Sequence, residues 1–169
     1  MTVGAWLGSE LERSNIIVII LIGGLAAVAG ILVRIWVGSP YPSILELGIG
    51  EITPPAWIMA FLWTLAFFIN GCAAGCVLSY RVGGCETEKY KGCLYFLLLC
   101  VVELLWYPTL FGSHLVFFSL LESILILCLS VITTLIFYRV TKFAGMLLLL
   151  HDVWLIYMLI MNFAVLFHC

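Results

Sequence analysis

Residues Ile16 to Val37 read IIVIILIGGLAAVAGILVRIWV, and a single charged side chain, Arg34, interrupts an otherwise apolar run. A helix needs about 20 apolar residues to cross the hydrocarbon core of a bilayer, so this run is long enough to span one. It reads as a retained helix rather than a secretory signal. Its apolar stretch is about twice the length of a signal core, and the flank Glu10-Leu11-Glu12-Arg13 is acidic where a signal is basic. Four further runs of the same kind follow, over residues 56–80, 93–111, 115–138 and 143–167. Hydrophobic residues make up 65% of the 169-residue chain and charged residues 9%, against roughly a quarter charged in a soluble domain. A soluble fold of this length could not hide that much apolar surface, so the solvent is lipid.

In lipid an isolated segment satisfies its own backbone hydrogen bonds, which predicts helices. Barrel strands would be shorter and would alternate in polarity. The expected architecture is therefore all-α, one domain of five transmembrane helices. Short connections at 112–114 and 139–142 force their flanking helices to be antiparallel neighbours. The connection 38–54 holds three of the five prolines and reads as an irregular loop. Pro54-Pro55 opens the second span, where a missing backbone donor does no harm. Gly71-Cys-Ala-Ala-Gly75 and Ala26 with Gly30 are small-residue pairs at helical spacing that let helices approach closely.

Arg13, Arg81, Lys89, Lys91, Arg139 and Lys142 fall on the side of the N-terminus and Arg34 near the other. A translocon-inserted protein with this bias keeps its N-terminus in the cytoplasm. No arginine-rich presequence is visible, so an organelle address is expected within the spans. A net charge of −2 argues against a nucleic-acid partner. Cys72, Cys76, Cys100 and Cys128 read as small apolar packing residues. Cys72 and Cys76 share a helix face but are too few for a convincing metal site, and no cofactor is expected. Cys85 and Cys93 flank one loop and would pair only on an oxidising side.

A charge at the centre of a spanning helix costs about 3 kcal/mol on insertion scales, so the ionisable residues inside the runs carry information. They are Glu103, Glu122 and the pair His151-Asp152, with Asn70 and Asn162 as neutral companions and Arg34 near a span end, where its stem can snorkel. Two readings stand: a polar cavity inside the bundle, or helix-to-helix hydrogen bonds. Glu103 and His151-Asp152 favour the cavity; Glu122, Asn70 and Asn162 favour the interhelical role. Trp57 suits a membrane interface. Trp63, Phe67 and Asn70 share one face, Trp106 precedes Pro108, and Trp154, Met158, Met161 and Asn162 form a stripe. Such stripes serve packing in many helices; paired with polar groups they suit an apolar ligand site with polar anchors.

Several short motifs resemble the translocator protein family, also called peripheral-type benzodiazepine receptors or tryptophan-rich sensory proteins. They are Pro54-Pro55-Ala56-Trp57, Trp63-Thr64-Leu65 with Gly71, and Trp106-Tyr107-Pro108-Thr109-Leu110-Phe111-Gly112. Thr133-Thr134 with Phe137-Tyr138 and Val140, and Trp154 with Asn162, complete the set. The resemblance runs from about Arg34 to Asn162. It implies a five-helix bundle around a pocket for planar hydrophobic molecules: porphyrins, and in animal members cholesterol and benzodiazepine-type ligands. It also implies a homodimer, and residence in the mitochondrial outer membrane if the source is eukaryotic, or otherwise in a cell or host membrane. Carried over by motif, the ligand-binding residues are Met59, Trp63, Trp106, Phe118, Leu121, Leu125, Trp154, Met158, Met161 and Asn162. Arg34 is the expected partner of a ligand carboxylate, and Glu103 and Asp152 are polar anchors. An alternative by resemblance is a porphyrin-degrading enzyme using Trp63 and Trp154. A water path lined by Glu103, Glu122 and Asp152 is a third reading.

The chain also departs from the family pattern. Ile49-Gly50-Glu51-Ile52 replaces the Lys-Pro-Xaa-Trp stretch, Glu103 replaces an asparagine, and Leu150-His151 replaces Pro-Tyr and is followed by Asp152. These changes add acid where the family is neutral, which bears on ligand preference. The basic C-terminal pattern associated with cholesterol, a weak motif in any case, is missing after Asn162.

Overall fold

The computed structural model describes residues 15–39, 53–80 and 86–168. Helix α1 is Ile16–Val37, α2 Ala56–Ser79, α3 Glu86–Tyr107, α4 Val116–Val140 and α5 Lys142–His168. All five are long and apolar enough to cross a membrane, and there is no strand among the described residues. The third helix starts well before the apolar run at Cys93, because the polar segment from Glu86 also coils, with Glu86 and Glu88 in its first turn. Acidic side chains are favourable at that end of the helix dipole. The first-loop departure at Ile49 to Ile52, the acidic N-terminal flank and Cys85 lie outside the described residues, so the pairing of Cys85 with Cys93 does too.

Local chemistry sets the helix ends. The Asn15 side chain accepts from the Ile17 amide at 3.1 Å, capping α1. Gly38, at φ +95°, takes the left-handed conformation that closes it, its amide donating to the Arg34 carbonyl. At the far end of α3, Pro108 cannot donate, and the chain widens into a π-helical turn over Pro108–Gly112, closed by the Ser113 amide on the Pro108 carbonyl. A single extended residue, Thr141, separates α4 from α5.

The helices alternate in direction, so the start of α1, the end of α2, the start of α3 and the α4–α5 junction share one end of the bundle. Lys89, Lys91, Arg139 and Lys142 stand at that end and Arg34 at the other. Helix α1 packs chiefly on α2, α3 on α4, and α5 on both α4 and α2. The small-residue faces of α1 and α2 meet at close range. A Cβ on Gly71 would sit 2.6 Å from the Ile22 carbonyl, and one on Gly75 2.6 Å from the Ile19 Cα.

The interior divides along the bundle axis. Toward the Lys-rich end lies a core of small residues, Ala73, Ala74, Cys72, Cys76 and Ala144, with Phe137 and Leu148. Toward the other end lies a core of rings, Trp63, Phe67, Trp106 and Tyr107, with Met158 and Met161. Outward faces remain apolar: Leu25 and Trp36 on α1, Phe61 on α2, Leu97 on α3, Phe117 on α4 and Val153 on α5 are all exposed. A face of this kind suits acyl chains, not water.

Candidate functional site

The ring core is built on Trp63. It stacks on Trp106 at 5.8 Å between centroids and tilts against Phe67 and Tyr107, each at 5.1 Å. Its indole N–H donates to the Gly30 carbonyl of α1 at 3.3 Å. Gly30 has to be small, since a Cβ there would lie 3.0 Å from the Phe67 ring. Beside these rings is a void of about 10 Å³ lined by Trp63, Glu103, Trp106, Ser123, Ile126, Trp154, Leu155 and Met158. That is room for about one water molecule. Trp106 is 3% exposed, and its indole nitrogen has no hydrogen-bond partner among the described residues.

A polar layer crosses the bundle between the two cores. Glu103 Oε1 lies 2.7 Å from His151 Nε2, and Glu103 Oε2 accepts from Asn70 Nδ2 at 3.1 Å. His151 Nδ1 is 3.5 Å from Ser130 Oγ. The Ser130 hydroxyl donates to Asp152 Oδ1, and the Thr134 hydroxyl donates to Asp152 Oδ2 at 3.0 Å. Four helices supply these groups and every member is buried, so unsatisfied polar atoms would be costly and the hydrogen bonds are needed to hold the layer. Glu103 belongs to this layer and also lines the void.

A second hollow, about 320 Å³, opens on the outer surface between α2 and α5. Its walls are Pro54, Leu62, Leu65, Ala66, Ile69, Leu150, His151, Val153, Trp154 and Tyr157. Trp154 lines both this groove and the inner void, so one indole is a wall common to the two.

The structure brings Trp63, Glu103, Trp106, Trp154 and Met158 of the expected residues to the void. Met59 is buried but does not line it, with Tyr157 Oη 3.7 Å from its sulfur. Met161 packs in the ring core. Asn162 ties α5 to α4 by accepting from the Ser119 hydroxyl at 2.8 Å, the interhelical role read from its type. Asn70 plays that role toward Glu103. Glu122 plays it toward Thr109, whose hydroxyl lies 3.2 Å away and holds the π-helical turn to α4. Asp152 lies in the polar layer and does not line the void.

Other expected residues lie farther from the void. Phe118, Leu121 and Leu125 are 58%, 48% and 49% exposed and face outward. Helix α4 turns a different stripe inward, Ser119, Ser123, Ile126, Ser130 and Thr133, and it is Ser123 and Ile126 that reach the void. Lipid explains the difference: the outer face is as apolar as the inner, so hydrophobicity carries no phase. The serines and threonines at helical spacing are the signal that does. Arg34 does not line the void, although its side chain hydrogen-bonds that of Tyr107 in the ring core. Its guanidinium lies 3.4 Å from the Ala56 carbonyl and borders a separate surface hollow with Ile31, Ile35, Ala60 and Thr64. Leu155 was not singled out by any motif and lines the void between Trp154 and Met158.

The profile of the TspO/MBR family matches residues 16–168. The chain belongs to the TspO/MBR family. It is an integral, multi-pass membrane protein of that family, in line with its five apolar helices. It is similar to the tryptophan-rich protein TspO of Chlorobaculum tepidum, with 30% identity over 113 residues, covering 67% of this chain and 70% of the relative. No solved structure matches it.

Proposed function

We propose that the protein is a membrane receptor or transporter for porphyrins and other planar lipophilic molecules, sterols among them, and that it works as a homodimer. What supports the reading is the convergence of Trp63, Trp106 and Trp154, from three helices, on one void that also holds the carboxyl group of Glu103. Indole faces stack on flat conjugated rings, and a largely apolar site with a few polar groups is the usual form of such pockets. A void of about 10 Å³ admits no such ring as it stands. Entry goes from the bilayer through the α2–α5 groove, and displacement of Trp154 joins groove and void into one site.

The test is a titration with protoporphyrin in nanodiscs, following tryptophan emission. Saturable quenching is expected, and it should be lost when Trp63 and Trp154 are both changed to Phe. Quenching that is not saturable, or that the double variant leaves unchanged, overturns the assignment.

A further inference from the structure

We propose that the inner site selects planar lipophilic ligands bearing a basic or N–H donor group and disfavours those bearing carboxylates. The proposal rests on the receptor reading above and names the ligand class. Its basis is the polar inventory of the void. Glu103 brings a carboxyl group to it, and the layer behind Glu103 contains a second carboxyl group, Asp152, with one imidazole, His151, between them. Among the described residues no lysine or arginine lines the void; Arg34 lies outside it, beside the Ala56 carbonyl and the Tyr107 side chain.

Each Glu103 oxygen has one partner, His151 or Asn70, and a carboxylate oxygen has a second lone pair to offer. An incoming ammonium or N–H group can use it. An incoming carboxylate brings only acceptor oxygens to the oxygens of Glu103, and gains no donor from them. The second observation is the indole nitrogen of buried Trp106, a residue that lines the same void; this donor has no partner among the described residues. A buried unpaired donor of this kind marks a position where a neutral acceptor on the ligand can bind. The site as a whole therefore asks for one donor or cation against Glu103 and one acceptor against Trp106.

Three matched probes test this in phosphatidylcholine nanodiscs: protoporphyrin with its two carboxylates, its dimethyl ester, and its bis-aminoethyl amide. The expected order of affinity is amine, then ester, then dicarboxylate, with the amine form at least about ten-fold tighter than the dicarboxylate. This comparison uses the unaltered protein, so no variant has to fold for it to succeed or fail. Glu103→Gln, which keeps a donor for His151 and an acceptor for Asn70, should narrow the span to about two-fold. Saturable binding of all three with equal affinity, or tightest binding of the dicarboxylate, overturns the preference and leaves the receptor reading standing. A preference that persists unchanged in Glu103→Gln overturns the assignment to that residue. The absence of saturable binding by any probe overturns both readings.

Discussion

The two halves of the bundle sit in the same lipid and solve packing in opposite ways. In the half toward Lys89 and Lys142, helices touch nearly backbone to backbone. Gly71 and Gly75 of α2 meet Ile19, Ile22 and Gly23 of α1 so closely that no Cβ fits, and Ala73, Ala74, Cys76 and Ala144 fill what remains. In the half toward Pro54, the helices are held apart by Trp63, Trp106, Phe67 and Tyr107, and a void and a groove persist between them. Without a hydrophobic force between helices in lipid, tight backbone packing is a main source of association. The small-residue half therefore holds the fold, while the ring half is spaced by large side chains. Between them the polar layer fixes the register of four helices.

The sharpest way to break this picture is to remove one partner from the layer. His151→Leu leaves Glu103 buried without its base, and loss of one partner of a buried pair costs about 3 to 5 kcal/mol. Thermal or detergent-induced unfolding should show it. Changing both, Glu103→Met with His151→Leu, should recover most of the loss, because apolar replacements of such pairs are close to neutral. A single variant as stable as the parent would mean that the layer does not hold the helices together.

Next in size is the small-residue half. Gly71→Ala forces a methyl group against the Ile22 carbonyl and the Ala26 side chain, and overpacking of this kind costs about 1 to 3 kcal/mol. The readout is the same unfolding midpoint, together with cross-linking of α1 to α2. Equal stability would show that the helices separate readily there, and the contrast between the halves would fail.

How much of this was readable from the chain follows the same division. The spans were legible because length and hydropathy are integral properties, and a bilayer demands both. Close helix approach was legible from Gly71, Gly75, Ala26 and Gly30, because small residues permit it, but which helices meet was not. The ring site was legible on α2, α3 and α5, where Trp63, Trp106, Trp154, Glu103 and Met158 stand out against aliphatic neighbours. It was not legible on α4 by motif transfer. Phe118, Leu121 and Leu125 look like pocket residues, but lipid accepts them equally well outside. Arg34 lies off the void for another reason: near a helix end, a long side chain can turn to any nearby carbonyl, and a resemblance in sequence does not record which.

A milder intervention acts on the wall between groove and void. Trp154→Ala removes the indole that lines both hollows and should raise the rate of porphyrin quenching several-fold while weakening the final complex, since a gate and a stacking surface are lost together. Stopped-flow emission from Trp63 and Trp106 measures the rate. An unchanged rate would place entry elsewhere, with the Arg34 hollow the alternative to examine.

The smallest expected effect is on α4, and it separates the two faces of that helix. Phe118→Ala removes a ring that lies 58% exposed in a medium as apolar as itself, so little transfer energy is lost. The change in stability should stay within about 0.5 kcal/mol, and porphyrin affinity should not move. Ser123→Leu is the counterpart. It swaps the buried hydroxyl that lines the void for a branched chain with nowhere to go but the ligand space, and should abolish binding even if the bundle survives. The pair works because both positions lie on one helix within two turns, so a general loss of α4 would affect them alike. Loss of binding in Phe118→Ala with retention in Ser123→Leu would rotate α4 about its axis and restore the outward residues to the pocket.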